Sequence, residues 1–277
     1  MRHESFETPG PVKLDLSLAE GRIDIETVEG TTTEVELDAR GPEDEVRDLL
    51  EDSRIELRDR RGGHEVIVDV RNKRRFGFLS SGVDVRLTVR APHGADVSVE
   101  TAAADTRGRG RFGSLEARTA SGDVELDEVG GDLSAKTASG DVSVHSVGGN
   151  ASVNTASGDV ELGRVEGETS AKTASGDVVV REAGPGVNVA TASGDLRIEA
   201  VAEGAVTLQS ASGDIDVGIR QGSNVWVDAR AMSGDTRSEL ELGDDPPADD
   251  APLVELRATS MSGDVTVSRA TRAELTQ

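Results

Sequence analysis

Between residues 119 and 195 the chain repeats itself every 18 residues: TASGDVELDEVGGDLSAK, TASGDVSVHSVGGNASVN, TASGDVELGRVEGETSAK, TASGDVVVREAGPGVNVA, and TASGD again. The motif serines, Ser121, Ser139, Ser157, Ser175 and Ser193, mark the period. A fixed period of this size means stacked supersecondary units, none of which can bury its apolar face alone. Within one unit, Val124 and Leu126 alternate with Glu125 and Asp127, and Leu133 and Ala135 alternate with Ser134 and Lys136, with glycines between the two runs. Alternation of this kind is a strand pattern. Two short strands and two Gly-containing turns fill 18 residues, and a helix does not fit. A fainter half-period, ASGDVELDE laid over VGGDLSAKT, makes each coil two similar strand-plus-turn halves.

Coils stacked about 4.8 Å apart set equivalent residues into ladders. Val124, Val142, Val160 and Val178 form one, continued by Leu196 and Ile215. The motif threonines form a second. Ala120 to its equivalent Ala192 form a third, read as a place where only a methyl group fits between coils. The motif glycines are expected at φ > 0. The predicted fold is an all-β, single-stranded parallel β-solenoid of about 18-residue coils, with an irregular N-terminal part and one short helix, in a single domain over residues 1–277.

Residues 1–100 form the irregular part, 101–269 the regular repeats and 270–277 a polar tail. Residues 21–26, GRIDIE, already resemble the later GDVELD, and TAAAD at 101–105 sits 18 residues before the first TASGD as a decayed copy. Residues 43–52 read as a helix: Pro42 stands near its first turn, acids follow, and Val46, Leu49 and Leu50 share a face. Its expected place is across the open end or one side of the solenoid, as a cap. Beyond Asp195 the period loosens, with Ser212, Ser233 and Ser262 following at steps of 19, 21 and 29 residues. The extra length is read as insertions between coils, the longest being the acidic, Pro-rich run 243–251.

Composition narrows the function. The chain holds four Phe, one Trp and no Tyr, which suits a narrow bore lined by Val, Leu, Ile and Ala. It has no cysteine, hence no disulfide, thiolate metal site or thiol nucleophile. A formal net charge of −23 argues against nucleic acid or anionic lipid as a partner. No apolar run approaches a membrane span of about 20 residues, and the first residues lack the apolar core of a signal peptide. Direct membrane insertion is therefore not expected. The expected location is cytoplasmic, with association at the cell envelope as the alternative.

The GRIDIE strand, the run VDVRLTVRAPHGADVSVET at 83–101 and the repeated TASGDV motif together resemble a bacterial and archaeal family of β-strand repeat proteins, the toast-rack or candidate-adhesin domain. The likeness extends over nearly the whole chain. It implies a β-solenoid and a link to the cell envelope and envelope-stress systems. It brings no established catalytic residues.

Two features are candidates for binding. Asp123, Asp141, Asp159, Asp177 and Asp195 recur once per coil, followed by Asp214, Asp235 and Asp264. Like charges about 5 Å apart repel by roughly 1 kcal/mol per pair in water, so something must offset them. Either each carboxylate accepts backbone N–H bonds at its own turn, or divalent cations such as Ca²⁺ are shared between coils. The second candidate is the basic-aromatic stretch Lys73, Arg74, Arg75, Phe76, Phe78 and Leu79, which either docks on a partner or folds back as a lid. Trp226 has the opposite parity to Val225 and Val227 and should face outward. The motif serines have no histidine in register, since His145 stands in one coil only. A nucleophile needs a base within reach, and a repeated motif is the wrong form for one asymmetric catalytic cluster. The expected function is non-enzymatic and cofactor-free: a scaffold or protein-binding module, self-association included, linked to the envelope through a partner. The alternative is a cation- or glycan-binding adhesin-like module.

Overall fold

The computed structural model describes residues 1–70, 82–240 and 251–270. It divides into two compact units, Met1–Gly140 and Asp141–Gln277. Both are built almost wholly of strands, as the alternation requires.

The first unit contains β1 (Arg2–Glu7), β2 (Val12–Val28), β3 (Thr32–Arg40), α1 (Glu43–Asp52), β4 (Arg54–Arg60), β5 (Gly63–Val70), β6 (Asp84–Pro92), β7 (Asp96–Phe112), β8 (Leu115–Arg118), β9 (Val124–Val129) and β10 (Leu133–Lys136). β2 and β7 are long strands that each supply both halves of a coil. The first half of β2 pairs in parallel with β5 on one side and β7 on the other; its second half pairs with β6 and β7. The bend falls at Gly21, whose φ is 121° and where a Cβ would sit 2.1 Å from the Val85 carbonyl oxygen. Leu14, Leu16, Ile23, Val66, Val68 and Leu87 are fully buried between these coils. The pairing is not parallel throughout. β1 with β3, β3 with β6 and β4 with β5 are antiparallel, and this is the irregularity expected of the first hundred residues.

The second unit contains β11 (Val142–Val147), β12 (Ala151–Asn154), β13 (Val160–Val165), β14 (Glu168–Lys172), β15 (Val178–Ala183), β16 (Gly186–Ser193), β17 (Leu196–Val201), β18 (Gly204–Ser212), β19 (Ile215–Ile219), β20 (Asn224–Ser233), β21 (Thr236–Ser238), β22 (Leu253–Ser262) and β23 (Val265–Arg269). All of its pairings are parallel and join equivalent strands of neighbouring coils. Val142 faces Val160, Val160 faces Val178, Val178 faces Leu196 and Leu196 faces Ile215, the predicted ladder. After Ile219 chain order and spatial order part. β18 and β19 pair with β22 and β23, which in turn pair with β20 and β21. The last coil in sequence is thus inserted beneath the one before it.

Two expectations about the repeat need correction. Ala120, Ala138, Ala156, Ala174 and Ala192 are exposed, so no methyl ladder lies between coils. The tight approach belongs to the glycines. A Cβ on Gly140 would lie 2.0 Å from the Gly122 carbonyl oxygen, and one on Gly176 or Gly194 would lie 2.1 Å from the Gly158 or Gly176 oxygen. These glycines are not in the positive-φ region; of the SGD glycines only Gly213, Gly234 and Gly263, past the regular repeats, have a positive φ, near 150°. Glycine is required in the regular coils because the backbone of the preceding coil occupies the space of a side chain.

Candidate functional site

The aspartate ladder is a backbone device. In the first unit the Asp123 amide donates to Oδ1 of Asp105 at 3.3 Å. In the second, the amides of Asp159, Asp177, Asp195 and Asp214 donate to Oδ1 of Asp141, Asp159, Asp177 and Asp195, each at 2.8 Å. The series continues in spatial order: the Asp264 amide donates to Asp214 at 2.7 Å and the Asp235 amide to Asp264 at 2.8 Å. Each of these accepting carboxylates therefore serves the amide of a neighbouring coil in the stack, not one in its own turn. The corner peptide points along the stack, so the side chain of one coil reaches the N–H of its successor. A charged acceptor on a backbone N–H is among the stronger hydrogen bonds, and it places a positive dipole between neighbouring carboxylates. Ser114 on Asp96 (2.8 Å) and Glu168 on Asn150 (2.9 Å) use the same device at the other corner.

The motif threonines complete the corner. Thr119, Thr137 and Thr155 accept from the amides of Gly122, Gly140 and Gly158 through Oγ1, each at 2.9 Å. The motif serines lie exposed. Among the described residues, no group of three or more His, Asp or Glu side chains is arranged to hold a metal ion. The stretch Lys73, Arg74, Arg75, Phe76, Phe78 and Leu79 lies outside the described residues.

The feature that stands apart from the ladders is α1. Pro42 is its N-cap, with Glu43, Asp44 and Glu45 in the first turn where the helix dipole favours acids. It has no basic residue in its last turn. Arg2 supplies that charge from β1, its Nη1 donating to the Ser53 carbonyl at 2.8 Å while Ser53 Oγ donates to the Leu50 carbonyl at 2.7 Å. α1 does not act as the expected cap, because none of its residues is buried. Val46, Leu49 and Leu50 are only half-covered, and a groove of about 520 Å³ opens beside them, lined by Arg2, Glu43, Val46, Arg47, Leu50 and Glu51. Sequence reading found the apolar face of this helix but not Arg2, about 50 residues away in the chain, which holds its far end.

A smaller recess of about 250 Å³ lies over β17, β19 and β23, lined among others by Arg197, Glu199, Asp216 and Arg269. Loss of water pushes the Asp216 carboxyl above the ordinary carboxylate value, with Arg197 pulling it down. Trp226 faces outward as its parity requires, with the Arg257 guanidinium 5.6 Å from its ring centre. Among the described residues, no helix is long and apolar enough to cross a membrane.

A crystal structure of a candidate adhesin from Bacteroides fragilis aligns over 97% of this chain and 96% of its own, at 13% identity and a TM-score of 0.45. A candidate lipid-binding protein from Parabacteroides distasonis aligns over 98% of this chain and 96% of its own, at 11% identity and a TM-score of 0.39. A candidate adhesin from Parabacteroides merdae aligns over 96% and 95%, at 12% identity and a TM-score of 0.35. No curated protein matches the chain by sequence. The model of the Toastrack DUF4097 family matches residues 12–268, and the chain belongs to that family.

Proposed function

We propose that this chain is a non-enzymatic scaffold whose α1 groove binds a protein partner, through which it is linked to the cell envelope. The observation that supports this is the helix itself. A helix of 10 residues is marginal without packing to hold it, yet α1 keeps Val46, Leu49 and Leu50 half-covered and is held mainly at its ends, by Pro42 and by Arg2 with Ser53. Val46 and Leu50 are spaced i, i+4 and form an apolar floor in a groove that Arg2, Glu43, Arg47 and Glu51 also line. An apolar centre within a rim of both charges is the anatomy of a protein contact. The occupant that fits is the apolar face of an amphipathic helix, whose flanking charges pair with that rim.

The test is site-specific photo-crosslinking from position 50 in cells, with a crosslinker at the ladder position Glu161 as control. A discrete adduct at 50 that Val46→Glu competes away supports the groove. In pull-downs of the captured partner, Leu50→Glu should abolish recovery. If only Phe76→Ala with Phe78→Ala reduces recovery, the docking point moves to residues 73–79. Unchanged recovery from both variants overturns the reading.

A further inference from the structure

The last coil of the second unit is finished differently on its two halves. β21 is exposed throughout, and its residues Thr236 and Ser238, in register with the buried Val265 and Val267 of β23, are polar. That half is dressed for water, as the terminal repeat of a solenoid must be. β20 is not. Its inward positions Val225, Val227, Ala229 and Ala231 are apolar and only half-covered, whereas their neighbours Val254, Leu256 and Ala258 on β22 are at 0% exposure. On its outer face Trp226 is 49% exposed and Met232 78% exposed. Among the described residues, β20 pairs with β22 alone, which leaves a ten-residue edge. Exposed strand edges are normally blunted by charge. β4, which among the described residues pairs with β5 alone, carries five charged residues in RIELRDR, while β20, NVWVDARAMS, carries only Asp228 and Arg230.

The placement of those two charges decides the partner. We infer that β20 is a self-association edge, at which two copies of this chain pair β20 with β20 in antiparallel register centred on Ala229. Antiparallel pairing is what a two-fold axis through an edge strand produces. In this register Asp228 stands opposite the partner's Arg230, and Arg230 opposite the partner's Asp228. Val227 stands opposite the partner's Ala231 on the inner face, and Trp226 opposite the partner's Met232 on the outer face. Opposite charges and apolar pairs across a strand pair are each favourable, and like charges there are not. The side chains that leave this edge open are thus complementary to themselves. The pairing is independent of the α1 groove.

The test uses the full chain. Sedimentation velocity from roughly 1 to 200 μM, a range suited to weak association, should show a monomer–dimer equilibrium. Trp226 is the only Trp and the chain has no Tyr, so its emission should shift to the blue as the concentration rises. Asp228→Arg and Arg230→Asp each put like charges opposite one another twice, and each should weaken the dimer about tenfold or more. An equal mixture of the two variants restores every opposite-charge pair and should dimerise at least as well as the wild type. The double variant Asp228→Arg/Arg230→Asp should do the same alone, which keeps the test open if one single variant fails to fold. A wild type that stays monomeric across the range overturns the inference. So do single variants that associate as the wild type does, or a mixture no tighter than its components.

Discussion

At the scale of the residue, the repeated SGD corner is where stability and apparent function are easily confused. The oxygen that bonds the next coil's amide makes Asp177 an acceptor first and a charge second. Asp177→Asn keeps such an oxygen and removes repulsion along the ladder, so unfolding free energy should stay within about 0.5 kcal/mol of the wild type. Asp177→Ala leaves the Asp195 amide without this acceptor and should cost about 1–2 kcal/mol. Urea denaturation of the two variants separates the roles; equal losses would mean that the charge itself matters. With Oδ1 used in this way, calcium is not expected to add stability. The melting midpoint should be the same in calcium as in EDTA, and a calcium-dependent rise of several degrees would restore the shared-cation reading. Gly176→Ala is the severe change here. Its Cβ would lie 2.1 Å from a backbone oxygen that cannot move without displacing a coil, and a loss of about 3 kcal/mol or more is expected.

At the scale of the element, alternation made the strands legible, because period-2 patterning and a fixed repeat leave few other folds. The register was legible too, since Val142, Val160 and Val178 recur at one spacing and face one another. The corner glycines were legible as necessary but not for the right reason, since sequence does not show how near another coil's backbone passes. α1 was legible as a helix from Pro42, its acids and its apolar face, but not as an uncovered one. An apolar stripe reads the same whether it meets the protein's own core or a partner. The distinction is measurable. Were α1 a cap, Leu50→Glu would bury a charge and cost several kcal/mol. With Leu50 half-covered, thermal melts should place that variant within about 0.5 kcal/mol of the wild type while partner binding is lost. A large drop in midpoint would return α1 to the core.

At the scale of the whole molecule, the unexpected feature is that coils do not stack in the order they are made. In the first unit β2 lies between β5 and β6 on one side and β7 on the other. In the second, β22 and β23 lie between β18 and β19 and the earlier β20 and β21. Sequence could not reveal this, because the SGD corners at Ser212, Ser233 and Ser262 are interchangeable and longer spacings read as simple insertions. A physical reason lies in the inward positions. The half-coil β23 is apolar at Val265 and Val267 and both side chains are buried; the half-coil β21, with Thr236 and Ser238 at the matching places, is polar and exposed. Placing β21 inside would bury the hydroxyls of Thr236 and Ser238 without partners, at roughly 1–3 kcal/mol each, so the chain passes over one level and returns to fill it. The spatial order therefore fixes which positions are sensitive. Val267→Ser should cost about 2 kcal/mol or more, while Ser238→Val should change stability by less than about 0.5 kcal/mol. Coils stacked in chain order would reverse this, with Ser238 interior and Val267 at the end. Equilibrium unfolding of the two variants decides between the arrangements, and a tolerated Val267→Ser together with a strongly stabilising Ser238→Val would rule out the inserted coil.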